Sequence, residues 1–497
     1  MKTIYKHTIT IILFVFTVGV FSSCEDFLEK SPVGQLTQET FPVTADDALL
    51  ATNACYSTLR VASYHSGMFP LADIMSDDAR KGSNVGDQAT TIGPYDSFTF
   101  TTTGDELASW WATLYEGVKN TNVVIEKVPS IEMDVTLRNR YIGEAKFLRA
   151  LYYFDMVKAW GGVPLITSTT SALNVARTDV GTVYQLIISD LEFAISNLDE
   201  KSEQVATDYG RTNVGAAKSL LARVYLFRSD FENAEKYALE VINSHEYSLE
   251  PVFTDANGEN GEYGIESVFE IGAQRVEAET GNQYANVQGV RGTPNRGWGF
   301  NRPTPNLRES FESGDPRLKG TIIDLGDVID GITIEGDGTT PNVTTDDEGN
   351  VIETECYNRK VWTDGATVAT QFGHNRRLLR YADVLLMAAE ALNENDKPGE
   401  ALIYLNEVRE RAREGNTSIL PDITETDKTA LRDIILEERR HELALEGHRF
   451  YDLVRTGKAA EVLGPLGFVT GKHELFPIPQ KEIDLSQEVL TQNPNWE

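Results

Sequence analysis

Two distant stretches of the sequence repeat one spacing of small side chains. When Ala222 is aligned with Ala389, Ala234 falls opposite Ala401, and larger apolar residues recur around both pairs. A small residue at a helix contact lets two backbones approach closely, and larger neighbours fill the grooves beside it. The repeated spacing therefore predicts two helix–turn–helix pairs, and such pairs bury their apolar faces by stacking on one another.

The turns between these helices agree with the pattern. Residues 229–231 (Ser-Asp-Phe) and 395–399 (Asn-Asp-Lys-Pro-Gly) can end a first helix and cap a second. Spacing and turns together are typical of the tetratricopeptide repeat, a helix pair of about 34 residues. The further predicted helices are a third pair at 144–153 and 183–198, and single helices at 46–60, 106–128, 428–445 and 449–460.

Two long regions lack this helical periodicity. Residues 63–104 and 251–366 are rich in turn-forming residues, with a strand-like piece at 267–271. Loops longer than about 12–15 residues are uncommon unless they have a use, and loops on a rigid frame often carry binding residues. We therefore expect a mainly α fold, a tetratricopeptide-like helix-pair scaffold (an α/α superhelix) with large loop-rich inserts and a few short β-strands.

The amino terminus predicts export. Lys2 and Lys6 precede an apolar run over 9–21, which is followed by Ser22-Ser23-Cys24. This order is typical of a secretory signal peptide, here residues 1–23. Small residues before a cysteine also resemble a bacterial lipobox, so Cys24 is the predicted lipidation site. The alternative is a plain signal peptide followed by an incidental cysteine.

Charge and missing motifs argue against several functions. With 45 Lys and Arg against 76 Asp and Glu, the net charge of −31 disfavours nucleic acid as a partner. His441-Glu442 begins like a zinc-protease helix, but Leu445 occupies the second ligand position. We predict no metal, no cofactor and no enzymatic activity. A calcium-like loop at 255–266 and a Cys55–Cys356 disulfide are both left open.

One polar stretch lies inside a predicted helix. Residues 437–442 (Glu-Glu-Arg-Arg-His-Glu) sweep more than one full turn, so some of them must point inward when the helix packs. Buried charges persist only when they are paired and hydrogen-bonded. The stretch predicts an internal Arg–Glu network, and the alternative is a catalytic carboxylate site.

Several motifs together resemble one known family. RYADVLLMAAEAL (380–392), ILEERRHELALEGHRFYDLVRTG (435–457), KHELFPIPQKEI (472–483) and LTQNP (490–494) are similar to stretches of the SusD/RagB family of outer-membrane nutrient-binding lipoproteins. DFLEKSP (26–32) and EAKFLRALYYFDMVKAWGGVPL (144–165) agree with them in the amino-terminal half.

The resemblance implies a function and an architecture. Residues 24–497 would form a single SusD-like domain, with tetratricopeptide-like helices in 24–250 and the family's carboxy-terminal part in 251–497. The protein would be held at the outer membrane by lipid on Cys24, facing the cell exterior. It would bind an oligosaccharide or other nutrient on its loop-rich side and deliver it to a SusC-like TonB-dependent transporter contacted by the repeats.

One loop segment has the composition of a carbohydrate site. Residues 280–308 contain no Asp or Glu, although the chain is acidic. Aromatic faces stack on the C–H faces of sugar rings, and Arg and amide side chains bond hydroxyls. The candidate ligand residues here are Trp298, Tyr284, Arg291, Phe300 and Asn301. The alternative is that the arginines pair with acidic residues elsewhere and Trp298 is merely packed.

The other loop region supplies further candidates. Asp73, Arg80 and Tyr95 lie at positions comparable to ligand-contacting loops of the family. Two other functions stay open, namely a repeat scaffold that organises other surface proteins and a surface glycosidase.

Overall fold

The computed structural model describes residues 41–496 apart from 172–173, 275–281, 347 and 364–371, and the side chains of 66–70 and 352. The predicted signal peptide and Cys24 therefore lie outside the described residues. Contacts divide the chain into Met1–Val43 and Thr44–Glu497, and every element below belongs to the second unit.

Helices account for most of the regular structure. They are α1 (Ala45–Ser57), α2 (Ala62–Ile74), α3 (Asp105–Lys127), α4 (Val135–Trp160), α5 (Val180–Asn197), α6 (Val214–Phe227), α7 (Phe231–Ile242), α8 (Tyr284–Gln288), α9 (Pro305–Ser310), α10 (Arg317–Thr321), α11 (Tyr381–Glu394), α12 (Pro398–Ala412), α13 (Lys428–Leu443), α14 (Arg449–Arg455), α15 (Ala459–Leu463) and α16 (Gln480–Leu485).

The strands are short and pair in twos. They are β1 (Ala79–Gly82), β2 (Ser267–Ile271), β3 (Phe300–Pro303), β4 (Ile322–Asp324), β5 (Val328–Ile329), β6 (Ile332–Thr333), β7 (Val343–Thr345), β8 (Val351–Thr354), β9 (Cys356–Asn358) and β10 (Arg376–Arg380). The antiparallel pairs are β1–β3, β2–β10, β4–β9, β5–β6 and β7–β8.

The predicted helix pairs are confirmed. α4 packs on α5, α6 on α7 and α11 on α12, and the pairs stack because α5 also contacts α6 and α7 contacts α11. Ala222, Ala234, Ala389 and Ala401 are fully buried, as the close approach of the backbones requires. Capping begins the helices where the sequence indicates, since the Asp230 side chain accepts from the Asn233 N–H.

The long insert between α7 and α11 closes at its base. β2 and β10 lie at its two ends and pair antiparallel, with Ser267 opposite Arg380. The chain therefore leaves the helical stack and returns to it at neighbouring positions. As a result, α11 packs directly on α7 although the insert separates them in sequence.

Two expectations need correction, and the question of a disulfide, which the sequence left open, is answered. The loop predicted from Ser63 is helical to Ile74, because α2 packs against α3. The helix predicted over 449–460 is two helices, since Gly457 takes a left-handed φ of +73° between α14 and α15. Cys55 and Cys356 are buried free thiols, which excludes the disulfide in this structure.

The internal ion network predicted for α13 is confirmed. Glu438 and Glu442 are buried, and Glu442 Oε1 accepts from Arg380 Nη1 at 2.7 Å and also from Arg411. Arg317 Nη1 lies 2.6 Å from Glu438 Oε1. Although burial raises the pKa of Glu442, the Arg411 and Arg380 guanidiniums outweigh it and lower that pKa. The carboxylate therefore stays ionised and serves to hold helices together.

None of the described helices combines the length and the apolar character needed to cross a bilayer.

Candidate ligand-binding surface

The β1–β3 pair brings two loops together. Gly82 at the end of β1 lies opposite Phe300 at the start of β3, and the Ser83 N–H donates to the Gly299 carbonyl at 2.6 Å. Gly82 has a φ of +71°, and a Cβ there would stand 2.6 Å from the Gly299 oxygen. Only glycine allows this approach without strain. The loop that follows β1 is thereby fixed beside Trp298.

The loop that carries Trp298 is closed by its own backbone. The Trp298 N–H donates to the Asn286 carbonyl at 2.8 Å, and the Gly299 N–H donates to the Gly289 carbonyl at 2.9 Å. The Trp298 side chain is 44% exposed. A large aromatic ring on a hydrogen-bonded loop gives a ligand a flat surface whose position is already set.

Arg291 lies on the same loop as Trp298 and joins that loop to two others. Its Nη1 donates to Ser83 Oγ at 2.7 Å and to the Asp87 carboxylate, and its Nε lies 2.6 Å from Asp337 Oδ2. Burial raises the pKa of Asp337, but backbone N–H groups of Thr340 and Thr339 outweigh it, and the net shift is downward. Two carboxylates therefore face one guanidinium, so the positive charge of Arg291 is already neutralised.

Lys81 fixes the loop after β1 from below. Its buried Nζ donates to the carbonyls of Gly82 (2.8 Å), Asn84 (3.0 Å) and Asp87 (2.9 Å). Burial lowers the pKa of Lys81, and Asp96 acts in the opposite direction. Three hydrogen bonds from one ammonium hold the loop's backbone in a single shape.

A second tryptophan lies next to the same loop. The Arg296 and Arg359 guanidiniums stand 5.5 and 5.4 Å from the centre of the Trp362 ring, and Trp362 Nε1 donates to Asp330 Oδ2 at 2.7 Å. Trp362 and Arg359 line a polar cavity of about 350 Å³. Its ring and its N–H are thus engaged within the chain, unlike those of an open aromatic platform.

We name the Trp298 surface by its members. They are Ser83, Asn84, Asp87, Arg291, Arg296, Trp298 and Asp337. Trp298 and Arg291 were predicted from the sequence, and the structure places them in the same loop. The expectation that the arginines pair with acidic residues is also correct for Arg291, whereas Trp298 is not packed away.

Tyr284 and Phe300 were predicted to contact ligand, and the structure corrects both predictions. The Tyr284 ring is buried 5.9 Å from His65, with the Arg376 guanidinium 5.0 Å from its centre. Phe300 is buried in β3. Neither ring is available to a ligand, because α8 and β3 direct both into the interior.

Asn301 and Asp73 form an internal network instead of a ligand contact. Asn301 Nδ2 donates to Asp73 Oδ2 at 2.9 Å and to Gln288 Oε1 at 2.8 Å, and both residues are almost fully buried. The Gly447 N–H donates to the other Asp73 oxygen at 2.8 Å. Burial raises the pKa of Asp73 to about 7. These groups tie α2 and β3 to the segment after α13.

The remaining two candidates also differ from expectation. Tyr95 is buried and stacks on Phe100 at 4.7 Å, so it is part of the core. Arg80 is half-buried in β1 and faces Asp96. Burial raises the pKa of Asp96 to about 7, even though the nearby Arg80 charge acts in the opposite direction.

Sequence reasoning missed Ser83, Asn84, Asp87 and Asp337. They lie in short polar loops with no distinctive spacing, and the β1–β3 pairing and Arg291 bring them to the loop that carries Trp298. Among the described residues no group of three or more His, Cys, Asp or Glu side chains could hold a metal ion.

Comparisons with known proteins identify the family. Residues 265–496 match the model of the SusD family, and residues 26–226 match a model described as "Starch-binding associating with outer membrane". The SusD-like protein P2 of Formosa agariphila is 30% identical over 526 residues, covering 99% of this chain and 100% of the relative. The chain belongs to the SusD/RagB family.

Related proteins include solved structures and a named starch binder. A laminarin-binding SusD-like protein is 30% identical, with a TM-score of 0.77 over 91% of this chain and 100% of that one. Surface glycan-binding protein A from Bacteroides thetaiotaomicron, solved with laminarihexaose, is 26% identical with the same TM-score and coverage. The starch-binding protein SusD of that organism is 26% identical over 76% of each chain.

Proposed function

We propose that this protein binds an oligosaccharide or polysaccharide at the Trp298 surface and delivers it to a SusC-like TonB-dependent transporter. It acts as a binding protein and not as an enzyme. The observation that carries the proposal is the 44% exposed Trp298 ring on a loop fixed by backbone hydrogen bonds. Relatives named for binding laminarin, surface glycans and starch support the ligand class.

The chemistry of the surface favours a neutral glycan. An indole face packs on the C–H side of a sugar ring, and the side chains of Asn84 and Arg296 supply amide and guanidinium groups for hydroxyls. Arg291 already pairs with two carboxylates, so its positive charge is neutralised and would not attract an anionic ligand. Because the loop is pre-organised, little conformational entropy is lost when the ligand binds.

The anchor and the partner are part of the proposal. Residues 1–23 would be removed as a signal peptide, and lipid on Cys24 would hold a single domain, 24–497, at the outer membrane, facing the exterior. Support comes from the lipobox-like sequence before Cys24 and from the family resemblance, with the stacked helix pairs meeting the transporter and the loop-rich side meeting the ligand.

The Trp298→Ala variant tests the ligand site. Calorimetric titration of the purified protein with laminarihexaose, and separately with maltohexaose, should show that the variant loses about 1–3 kcal/mol of binding free energy, the usual value of a central aromatic contact. Leu485→Ala, which removes another exposed apolar side chain on α16, is the matched control and should bind normally. Native affinity in Trp298→Ala would remove Trp298 from the site. Failure of both saccharides to bind the native protein would exclude these two glucans as cargo.

A further inference from the structure

Tyr209 is a large aromatic side chain that lies exposed. Among the Phe, Tyr and Trp side chains that the structure describes, only Trp298 and Tyr209 are exposed to solvent, and Tyr209 is 55% exposed. It lies between α5 and α6, in the amino-terminal half of the chain and outside the Trp298 surface. Burying such a ring is strongly favourable, so its exposure needs an explanation.

Tyr209 stacks on a ring whose position is fixed. The centroids of Tyr209 and Tyr263 are 5.5 Å apart with an interplanar angle of 25°. The Tyr263 ring lies against Gly210 and Gly272, because a Cβ on Gly210 would contact the ring and one on Gly272 would overlap its hydroxyl. The Tyr263 N–H donates to Glu270 Oε1. The pair thus consists of a Tyr263 ring held by its neighbours and an exposed Tyr209 ring stacked on it.

Two cavities border this tyrosine pair. One has a volume of about 460 Å³ and the other about 560 Å³. Both are lined by Tyr209, Gly210, Arg211, Tyr263 and Glu270. Each volume is within the range of small-molecule sites. Because the two cavities share these lining residues, they are adjacent, and an elongated ligand could occupy both.

Three charged side chains that line the cavities already have partners within the chain. Lys201 Nζ donates to the Gly264 and Ser267 carbonyls at 2.6 and 2.8 Å. Arg211 Nη1 lies 2.7 Å from Glu144 Oε2. Glu270 is paired with Arg377 at 3.0 Å. A charged ligand that binds at Lys201, Arg211 or Glu270 would compete with these partners, whereas a neutral, hydroxyl-rich ligand with an apolar face would leave them in place.

We propose that the tyrosine pair and its two cavities form a second binding site for a neutral oligosaccharide. This site would hold another segment of a long glycan, or another chain, while Trp298 holds the first. Two separated contacts on one polymer raise the overall affinity through effective concentration. The inference rests on the proposed function for the ligand class only, since its residues are distinct from the Trp298 surface.

Hydrogen exchange with laminarihexaose locates each site independently. The purified protein at saturating hexasaccharide should be protected in 204–213 and 262–272 as well as in 289–299. Tyr209→Ala should lose protection in the first two segments and keep it in the third, and Trp298→Ala should do the reverse. Calorimetry on the Trp298→Ala background should show that adding Tyr209→Ala weakens the remaining binding about tenfold.

Tyr237→Ala is the matched control. Tyr237 stacks on Tyr225 at 5.8 Å between α6 and α7 but lines neither cavity, so its loss should leave both protected regions unchanged. Unfolding temperatures of all variants check that the fold is retained.

The failure patterns separate the two proposals. Protection confined to 289–299, with native affinity in Tyr209→Ala, would overturn the second site and leave the proposed function intact. Protection confined to the tyrosine segments would overturn the assignment of Trp298 and support this one. Absence of protection in all three segments, in a protein that calorimetry shows to bind the hexasaccharide, would contradict both.

Discussion

Arginines occupy two contrasting environments in this protein. Three arginines from other elements, Arg317, Arg380 and Arg411, have almost fully buried guanidiniums. Each pairs with a buried carboxylate of α13, either Glu438 or Glu442. At the Trp298 surface, Arg291 is 31% exposed, and its partner Asp87 is 40% exposed. The same residue type holds helices together in one place and shapes a binding loop in the other. The second partner of Arg291, Asp337, is only 9% exposed, so the two environments differ chiefly in the exposure of the guanidinium itself.

The largest expected effect comes from breaking the buried network. Glu442→Gln removes the carboxylate that Arg380 and Arg411 share, and their remaining partners are Glu266 for both and Glu446 for Arg380. The loss of one partner of a buried pair costs about 3–5 kcal/mol. Urea unfolding should report this loss. Arg440→Leu, which strips buried Asp78 of its cation, should also destabilise the fold.

Glu410→Gln is the control for the buried network. Glu410 is exposed on α12, and its replacement should change the free energy of unfolding by no more than about 0.5 kcal/mol. If Glu442→Gln unfolds at the native urea concentration, the contrast between the two regions fails.

Acidification should weaken the buried network next. Burial raises the pKa of Glu446, but Arg380 and Lys360 outweigh it and lower the pKa to about 2. A lowered pKa stabilises the fold above the unfolded value of about 4.3, and this stabilisation is lost as the pH falls toward 2. Between pH 6 and pH 2 the stability difference between the native protein and Glu446→Gln should shrink by about 3 kcal/mol. A difference that is constant with pH would contradict the assigned pairing.

The smallest effect on stability is expected at Arg291. Ion pairs near the surface contribute about 0–1 kcal/mol each, and Arg291 is itself 31% exposed, so Arg291→Ala should change the free energy of unfolding far less than Glu442→Gln. It should nevertheless weaken laminarihexaose binding by about threefold to tenfold, because three loops lose their common partner.

Arg308→Ala is the matched control for Arg291→Ala. Arg308 is 30% exposed and pairs with Asp324 on the same insert, without contacting the Trp298 loop. It should leave affinity unchanged. Equal losses of affinity in both variants would mean that Arg291 has no specific role at the surface.

Most of the helix pairs could be predicted from the sequence. Ala222 and Ala389 mark helix contacts because only small residues allow that approach, and this signal is local and periodic. The inward charges of α13 followed from the same periodicity. α2 was missed because the composition of 63–104 favours turns, and the packing against α3 that overrides this composition is not local.

The Trp298 surface could be predicted from the sequence only in part. The composition of 280–308 pointed to Trp298 and Arg291, but the same segment also holds Tyr284 and Asn301, which face the interior. Composition does not reveal which way α8 and β3 turn their side chains. Ser83 and Asp337 could not be found, since they reach Arg291 through contacts between residues about 200 or about 50 positions apart.

A crystal structure of the protein with bound laminarihexaose tests the central claim most directly. A glucose ring should lie flat on the Trp298 indole, with hydroxyls within hydrogen-bonding distance of side chains of the Trp298 surface. A hexasaccharide bound elsewhere, with the Trp298 ring still facing solvent, would contradict the assignment.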